Sequence, residues 1–87
     1  MSKTTKEYWV DGVLIEFNSK KPTFQIMTDG DSHIKGSYDS SIFKPEIIYG
    51  VNGRVRGRVK ETIYLNSDGT PAKKKHDFLL FELEFVN

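Results

Sequence analysis

The chain has 87 residues, a formal net charge of +1, 37% hydrophobic residues and no cysteine. A chain of this length is expected to form one domain, its near-balanced charge is far from the basic stripe of a dedicated duplex-DNA binder, and the absence of cysteine argues against a disulfide-stapled secreted scaffold. No apolar run approaches the ~20 residues of a membrane span, and the opening MSKTTKE lacks an apolar signal region, so the expected location is cytoplasmic. Charge is slightly polarised. Residues 1–50 carry six Lys and seven acids, and residues 51–87 carry seven Lys/Arg and five acids.

Aromatic residues make up 13% of the chain, and aromatic and β-branched enrichment favours sheet. Residues 1–7 read as a flexible N-terminal segment and 8–87 as a single domain. YWVDGVLIEF, 8–17, reads as a strand in which Gly12 marks a bulge or bend. NSKKP is a loop. TFQIMT, 23–28, alternates with period 2, placing Phe24 and Ile26 on one face and Gln25 and Met27 on the other. DGDS is a hairpin turn, and HIKGSY, 33–38, is the return strand with Ile34, Gly36 and Tyr38 facing inward. DSSIFKPEIIY breaks the alternation. Asp39 is a candidate helix cap, and Pro45 limits any helix to a turn or two while pushing Lys44 out of the α region.

The longest predicted strand is VNGRVRGRVKETIYL, 51–65. Its basic residues Arg54, Arg56, Arg58 and Lys60 recur at every second position because Val55, Gly57 and Val59 occupy the alternate, inward positions. NSDGTPAKKKH is then a turn with a lysine run, reversed at Asp68–Gly69. The last strand is DFLLFELEFV, 77–86. Its alternation places Leu79, Phe81, Leu83 and Phe85 inward and Phe78, Leu80, Glu82 and Glu84 outward.

Three strands, a short helix or turn and two further strands, with a glycine inside the first strand and two in the fourth, resemble the OB-fold. That is an all-β, five-stranded Greek-key barrel with a short helix or turn between strands 3 and 4. DGDSHIKGSYD followed by VNGRVRGRV is similar to small OB-type domains of uncharacterised prokaryotic and phage proteins. The resemblance implies a ligand surface across the outer face of strands 2 and 3, bordered by the loops joining strands 1–2 and 4–5. The first loop holds Lys20 and Lys21 and the second Lys73, Lys74 and Lys75. Gln25, Met27, His33 and Lys35 lie between them. Such lysines neutralise the phosphates of single-stranded DNA or RNA, although lysine is also the ordinary residue of solvated loops, and no exposed aromatic for base stacking is expected on this face.

Arg54, Arg56, Arg58 and Lys60 form a secondary basic surface, or else pair with Glu82 and Glu84 across the sheet. Tyr64, Phe78 and Leu80, with one of Tyr8 and Trp9, form a possible protein interface or homodimer contact, or are simply covered. His33 and His76, the two imidazoles, stand in no metal-ligand spacing, and no nucleophile–base–orienter set assembles. The expectation is a non-catalytic binding module without metal or cofactor, taking single-stranded nucleic acid weakly and without sequence preference. The alternative is a protein-interaction or accessory domain.

Overall fold

The structure, a computed structural model, describes residues 2–86, with the side chains of residues 73–76 outside the description. It is all-β. The strands are β1 (Ser2–Asn18), β2 (Thr23–Thr28), β3 (His33–Tyr38), β4 (Arg54–Leu65) and β5 (Pro71–Phe85). A single 3₁₀ turn (Ser40–Ile42) and a short helix, α1 (Pro45–Tyr49), join β3 to β4. The strands close into one ring in the order β1-β2-β3-β5-β4, so the expected five-stranded barrel with a short helix after the third strand is what the chain adopts.

The two short strands follow their alternation. Phe24, Ile26, Ile34 and Tyr38 are buried, and they join Val10, Leu14, Phe17, Val55 and Val59 in the core. Full burial of one such side chain stabilises by ~1.5–3 kcal/mol. Phe17 stacks on Tyr38 at a ring-centroid distance of 4.1 Å, and the Tyr38 hydroxyl donates to the Asn18 carbonyl at 2.8 Å, which satisfies the one polar atom in that stack. In the β2–β3 turn it is Asp31, at φ 62°, that takes the left-handed conformation. Gly69, at φ 86°, does so in the β4–β5 turn, as expected of Asp68–Gly69. Asp39 caps the 3₁₀ turn, its carboxylate accepting from the Ser41 amide at 2.9 Å. Lys44 is extended (φ −138°, ψ 139°) ahead of Pro45, the first residue of α1.

Gly12 has a steric reason. A Cβ at that position would run into the backbone carbonyl of Met27, so β1 and β2 approach there as only glycine permits. The bulge itself lies three residues further on. Leu14 opposes Ile26 and Glu16 opposes Gln25, leaving Ile15 as the extra residue.

Three expectations are corrected. Residues 2–7, expected as a separate N-terminal segment, are part of the barrel's first strand: β1 starts at Ser2 and is paired with β4 from Ser2↔Leu65 onward. The physical reason is a ladder partner, since β4 extends far enough to hydrogen-bond them. Lys73, Lys74 and Lys75 do not lie in the β4–β5 loop, because β5 begins at Pro71; their side chains are outside the described residues. Finally, Leu80 does not face outward. It is fully buried, and Phe78 is half-buried against the core. Arg58 opposes Glu82 while Val59 opposes Leu80, so Phe81 is an extra residue in β5. One such residue switches the parity that faces the barrel: Leu83 faces the core on one side of it, Leu80 and Phe78 on the other.

The ring is closed unevenly. β3 and β5 run parallel and pair only at Ser37↔Leu79 and Tyr38↔Leu80, extended by the Asp39 amide donating to the Leu80 carbonyl at 2.8 Å. β1 pairs with β2 only from Gly12 onward. The first half of β1, the second half of β4 and the first half of β5 therefore form a three-stranded sheet that continues beyond the barrel. The molecule measures 45 × 27 × 17 Å with a radius of gyration of 13.7 Å, above the about 12 Å of a compact chain of this length.

Candidate nucleic-acid interface

The outer faces of β2 and β3 carry Gln25, Met27, His33 and Lys35 side by side, through the pairs Gln25↔Lys35 and Met27↔His33. Gln25 and Met27 are half-buried and form a floor; His33 and Lys35 are exposed. The Gln25 amide donates to His33 Nδ1 at 2.6 Å, which fixes both side chains on the sheet surface. Lys20 and Lys21 occupy the β1–β2 turn, where the Asn18 carboxamide oxygen accepts from both of their amides at 2.9 and 3.2 Å. The turn is held by its backbone, leaving both ammonium groups exposed.

Two concavities meet at Lys35. One, of about 490 Å³, is lined by Glu16, Thr23, Phe24, Gln25, Lys35 and Gly36. The other, of about 460 Å³, includes Lys35, Gly36, Lys60, Asp77 and Leu79. Together they make one trough over β2, β3, β5 and β4, with Lys35 at its centre and Lys60 on the far wall. The second concavity lies over the β3–β5 seam itself, whose residues Gly36, Ser37, Phe78 and Leu79 line it. At Gly36 the two strands approach closely: a Cβ there would meet the carbonyl of Phe78.

The β1–β2 and β4–β5 turns, expected to border this surface together, do not both flank the trough. The β1–β2 turn follows Asn18, whereas the β4–β5 turn lies against Ser2 through the Ser2↔Leu65 pair. They stand at opposite ends of β1, a strand of 17 residues. Thr23, at the end of the β1–β2 turn, lines the trough, so Lys20 and Lys21 adjoin it.

The basic ladder on β4 is largely neutralised by acids. Arg54 contacts Asp29 at 2.6 Å, Arg56 lies 3.8 Å from Asp11, and Arg58 lies 3.6 Å from Glu7 and 3.4 Å from Glu82. All of these pairs are solvent-exposed and each is worth at most ~1 kcal/mol. Arg58–Glu82 is the cross-strand pairing expected from the sequence. The other acids come from β1 and the β2–β3 turn, which only the fold brings alongside β4.

The same face supplies aromatics absent from β2–β3. The Arg56 guanidinium lies 4.9 Å from the Trp9 ring centroid and that of Arg58 lies 5.3 Å from Phe81. Trp9 and Phe81 are half-buried. Trp9 faces outward because Tyr8 takes the inward position against the core, and the bulge leaves Phe81 beside Arg58.

Of the proposed protein-interface residues, Leu80 and Phe78 belong to the interior. Tyr64 is half-buried, and its hydrogen bond to the Asp77 carboxylate raises its phenol above the ordinary value. Among the described residues the exposed large apolar ones are instead Phe43, Ile48, Tyr49, Phe85 and Val86, at and around α1 and the end of β5.

One buried group escaped the sequence reading. Glu61 is 7% exposed. It accepts from the Tyr8 hydroxyl at 2.8 Å and lies 3.6 Å from the Lys6 ammonium. Burial, and then the Glu61 carboxylate, push the Tyr8 phenol up to about 12. The signal was available, since Glu61 shares the odd parity of Val55 and Val59 in an otherwise inward-facing register.

No group of three or more His, Cys, Asp and Glu converges on a common point among the described residues, and among them no helix is long and apolar enough to cross a membrane. No protein-family model, curated protein or solved structure matches this chain.

Proposed function

We propose that the chain is an OB-type binding module that takes single-stranded nucleic acid along the outer trough. The reading is carried by one observation: Lys35 and Lys60, from strands that are not neighbours in the ring, line a single open concavity with no acid paired to either in the described ion pairs. A trough of this kind tracks a phosphate backbone by charge without reading bases. Lys20 and Lys21 extend the positive potential past Thr23. Beyond Lys60 on the outer face of β4, Trp9 and Phe81 offer ring surface for stacking beside Arg56 and Arg58. The ring order and the position of α1 support the OB resemblance, whose members bind ligands on this side of the barrel. Glu16 and Asp77 in the trough walls keep the affinity low.

The test is a titration of a labelled oligonucleotide across a range of salt, read by anisotropy and by the fluorescence of Trp9, the sole tryptophan. Each phosphate contact contributes about −0.7 to the slope of log affinity against log salt for a single strand. Lys35→Gln with Lys60→Gln should flatten that slope by about 1.4, while Arg54→Gln, whose partner Asp29 is already in place, should change it little. Absence of low-salt binding, or an unchanged slope in the double variant, would refute the proposal.

A further inference from the structure

β1 carries an open edge. Over residues 2–10 it pairs with β4 on one side, without interruption from Ser2↔Leu65 through Val10↔Gly57. Its ladder with β2 begins only at Gly12, and among the described residues no backbone hydrogen bond reaches residues 2–10 from the other side. This leaves about 30 Å of strand with its outward N–H and C=O groups open to a further strand. The usual defences of such an edge are proline, a bulge or a short strand. Residues 2–10, SKTTKEYWV, contain no proline and no glycine, and their register with β4 has no shift.

Two lysines, Lys3 and Lys6, are the one protection this edge retains, and the charge pattern reverses their effect in a single register. When a strand pairs antiparallel with its own copy about a two-fold axis, residues of like parity meet, so the axis passes through a residue. With the axis at Thr5, Lys3 faces Glu7, Glu7 faces Lys3, Thr5 faces Thr5 and Thr4 faces Lys6. An axis at Lys6 opposes Lys6 to itself, and one at Glu7 opposes Glu7 to itself. An axis at Thr4 leaves both lysines opposite hydroxyls. Only the Thr5 register joins opposite charges without opposing like ones, and a central Thr–Thr pair is itself favourable in antiparallel sheet.

We propose that this edge is a homodimer interface. Two copies pair along residues 2–8 of β1 about a two-fold axis at Thr5, giving one continuous six-stranded sheet, β5-β4-β1 of one copy followed by β1-β4-β5 of the other. The contact is isologous and therefore closed, and it removes the open edge from solution. Main-chain hydrogen bonds hold it, as in other cases of strand addition, and the Lys3–Glu7 pairs select the register. Glu7 also lies 3.6 Å from Arg58, so the carboxylate is braced on its own sheet while facing Lys3 of the second copy. The interface is separate from the Lys35 trough and stands or falls independently of nucleic-acid binding.

Sedimentation velocity over a concentration series tests it, with thermal melts of each variant to verify folding. The wild-type chain is expected to shift from monomer to dimer as concentration rises. Lys3→Glu and Glu7→Lys should each weaken the dimer by about tenfold or more, because two symmetric pairs turn from attraction to repulsion. The double variant should restore it. Mixing the two single variants should also form a dimer, because one then carries acids at both positions and the other carries lysines at both. A chain that is monomeric at every concentration overturns the proposal. So does a dimer that the single substitutions leave intact, or one that neither the double variant nor the mixture rescues.

Discussion

Glu61 is where residue chemistry matters most. A carboxylate on the inward face of a barrel strand needs partners to offset its desolvation; here the Tyr8 hydroxyl donates a hydrogen bond and the Lys6 ammonium, 3.6 Å away, supplies the opposite charge. Both partners come from β1, directly across from β4, so three residues on one cross-strand patch form the unit. Replacing Tyr8 with Phe removes a donor and leaves the buried carboxylate less satisfied, an expected loss of ~1–3 kcal/mol measurable by urea denaturation. A pH dependence accompanies it. The Tyr8 phenol is raised from its ordinary value of 10 to about 12 in the folded chain, so between those values the unfolded state loses the proton first. The stability Tyr8 contributes is complete below pH 10 and declines as pH climbs toward 12. Denaturation midpoints across that window should fall for the wild-type chain and fall less steeply for Tyr8→Phe. The residual slope includes Tyr64, whose phenol is shifted in the same direction by Asp77.

Among the elements, β2 and β3 were legible to the residue, and β5 was not. The short strands alternate without interruption between turns of Asn, Lys, Pro, Asp and Gly, so period and punctuation agree. Residues 78–85 of β5 read FLLFELEF, apolar at each of the first four positions. A run of that kind is compatible with either parity, and the side chains alone could not indicate that an extra residue sits at Phe81. The partner strand decides it: Val59 requires an apolar neighbour inside the barrel and finds Leu80. Alanine substitution separates the two readings. Leu80→Ala should cost ~2–5 kcal/mol by opening a core cavity, and Leu79→Ala, on the trough side, should cost much less. Chemical denaturation of both variants checks the ranking, and the reverse order would restore the uninterrupted alternation. The same reasoning explains the N-terminus. SKTTKE is too polar to announce a strand, and it becomes one because β4 is long enough to pair with it.

For the whole molecule, closure of the ring rests on the narrow β3–β5 seam. Two register pairs and the Asp39–Leu80 hydrogen bond join strands that elsewhere diverge, and the close approach of Gly36 to Phe78 permits it. Gly36→Ala should force that approach apart and destabilise by ~1–3 kcal/mol, the range for overpacking. Amide exchange would locate the damage: the Asp39 amide should exchange faster, while amides of the long β1–β4 ladder keep their ranking. The seam residues Gly36, Ser37, Phe78 and Leu79 also line the trough beside Lys35, so the narrow closure of the barrel and the proposed ligand surface share one place. The extension of β1, β4 and β5 past the barrel has a second consequence at this scale. It leaves β1 an unpaired edge, which is where the self-association argued above belongs.

The sequence by itself determined the all-β class, the order of the elements, the short helical connection and the inward set on β2, β3 and β4. All of these depend on local period, turn chemistry and proline, which act within a few residues. The tertiary structure alone decided the bulge at Phe81, the pairing of residues 2–7, the ion pairs that neutralise the arginines and the meeting of Lys35 with Lys60. These depend on which strand lies beside which, and at what register. Partners such as Arg54 and Asp29, or Tyr8 and Glu61, lie far apart along the chain, and no local period links them until the ring closes.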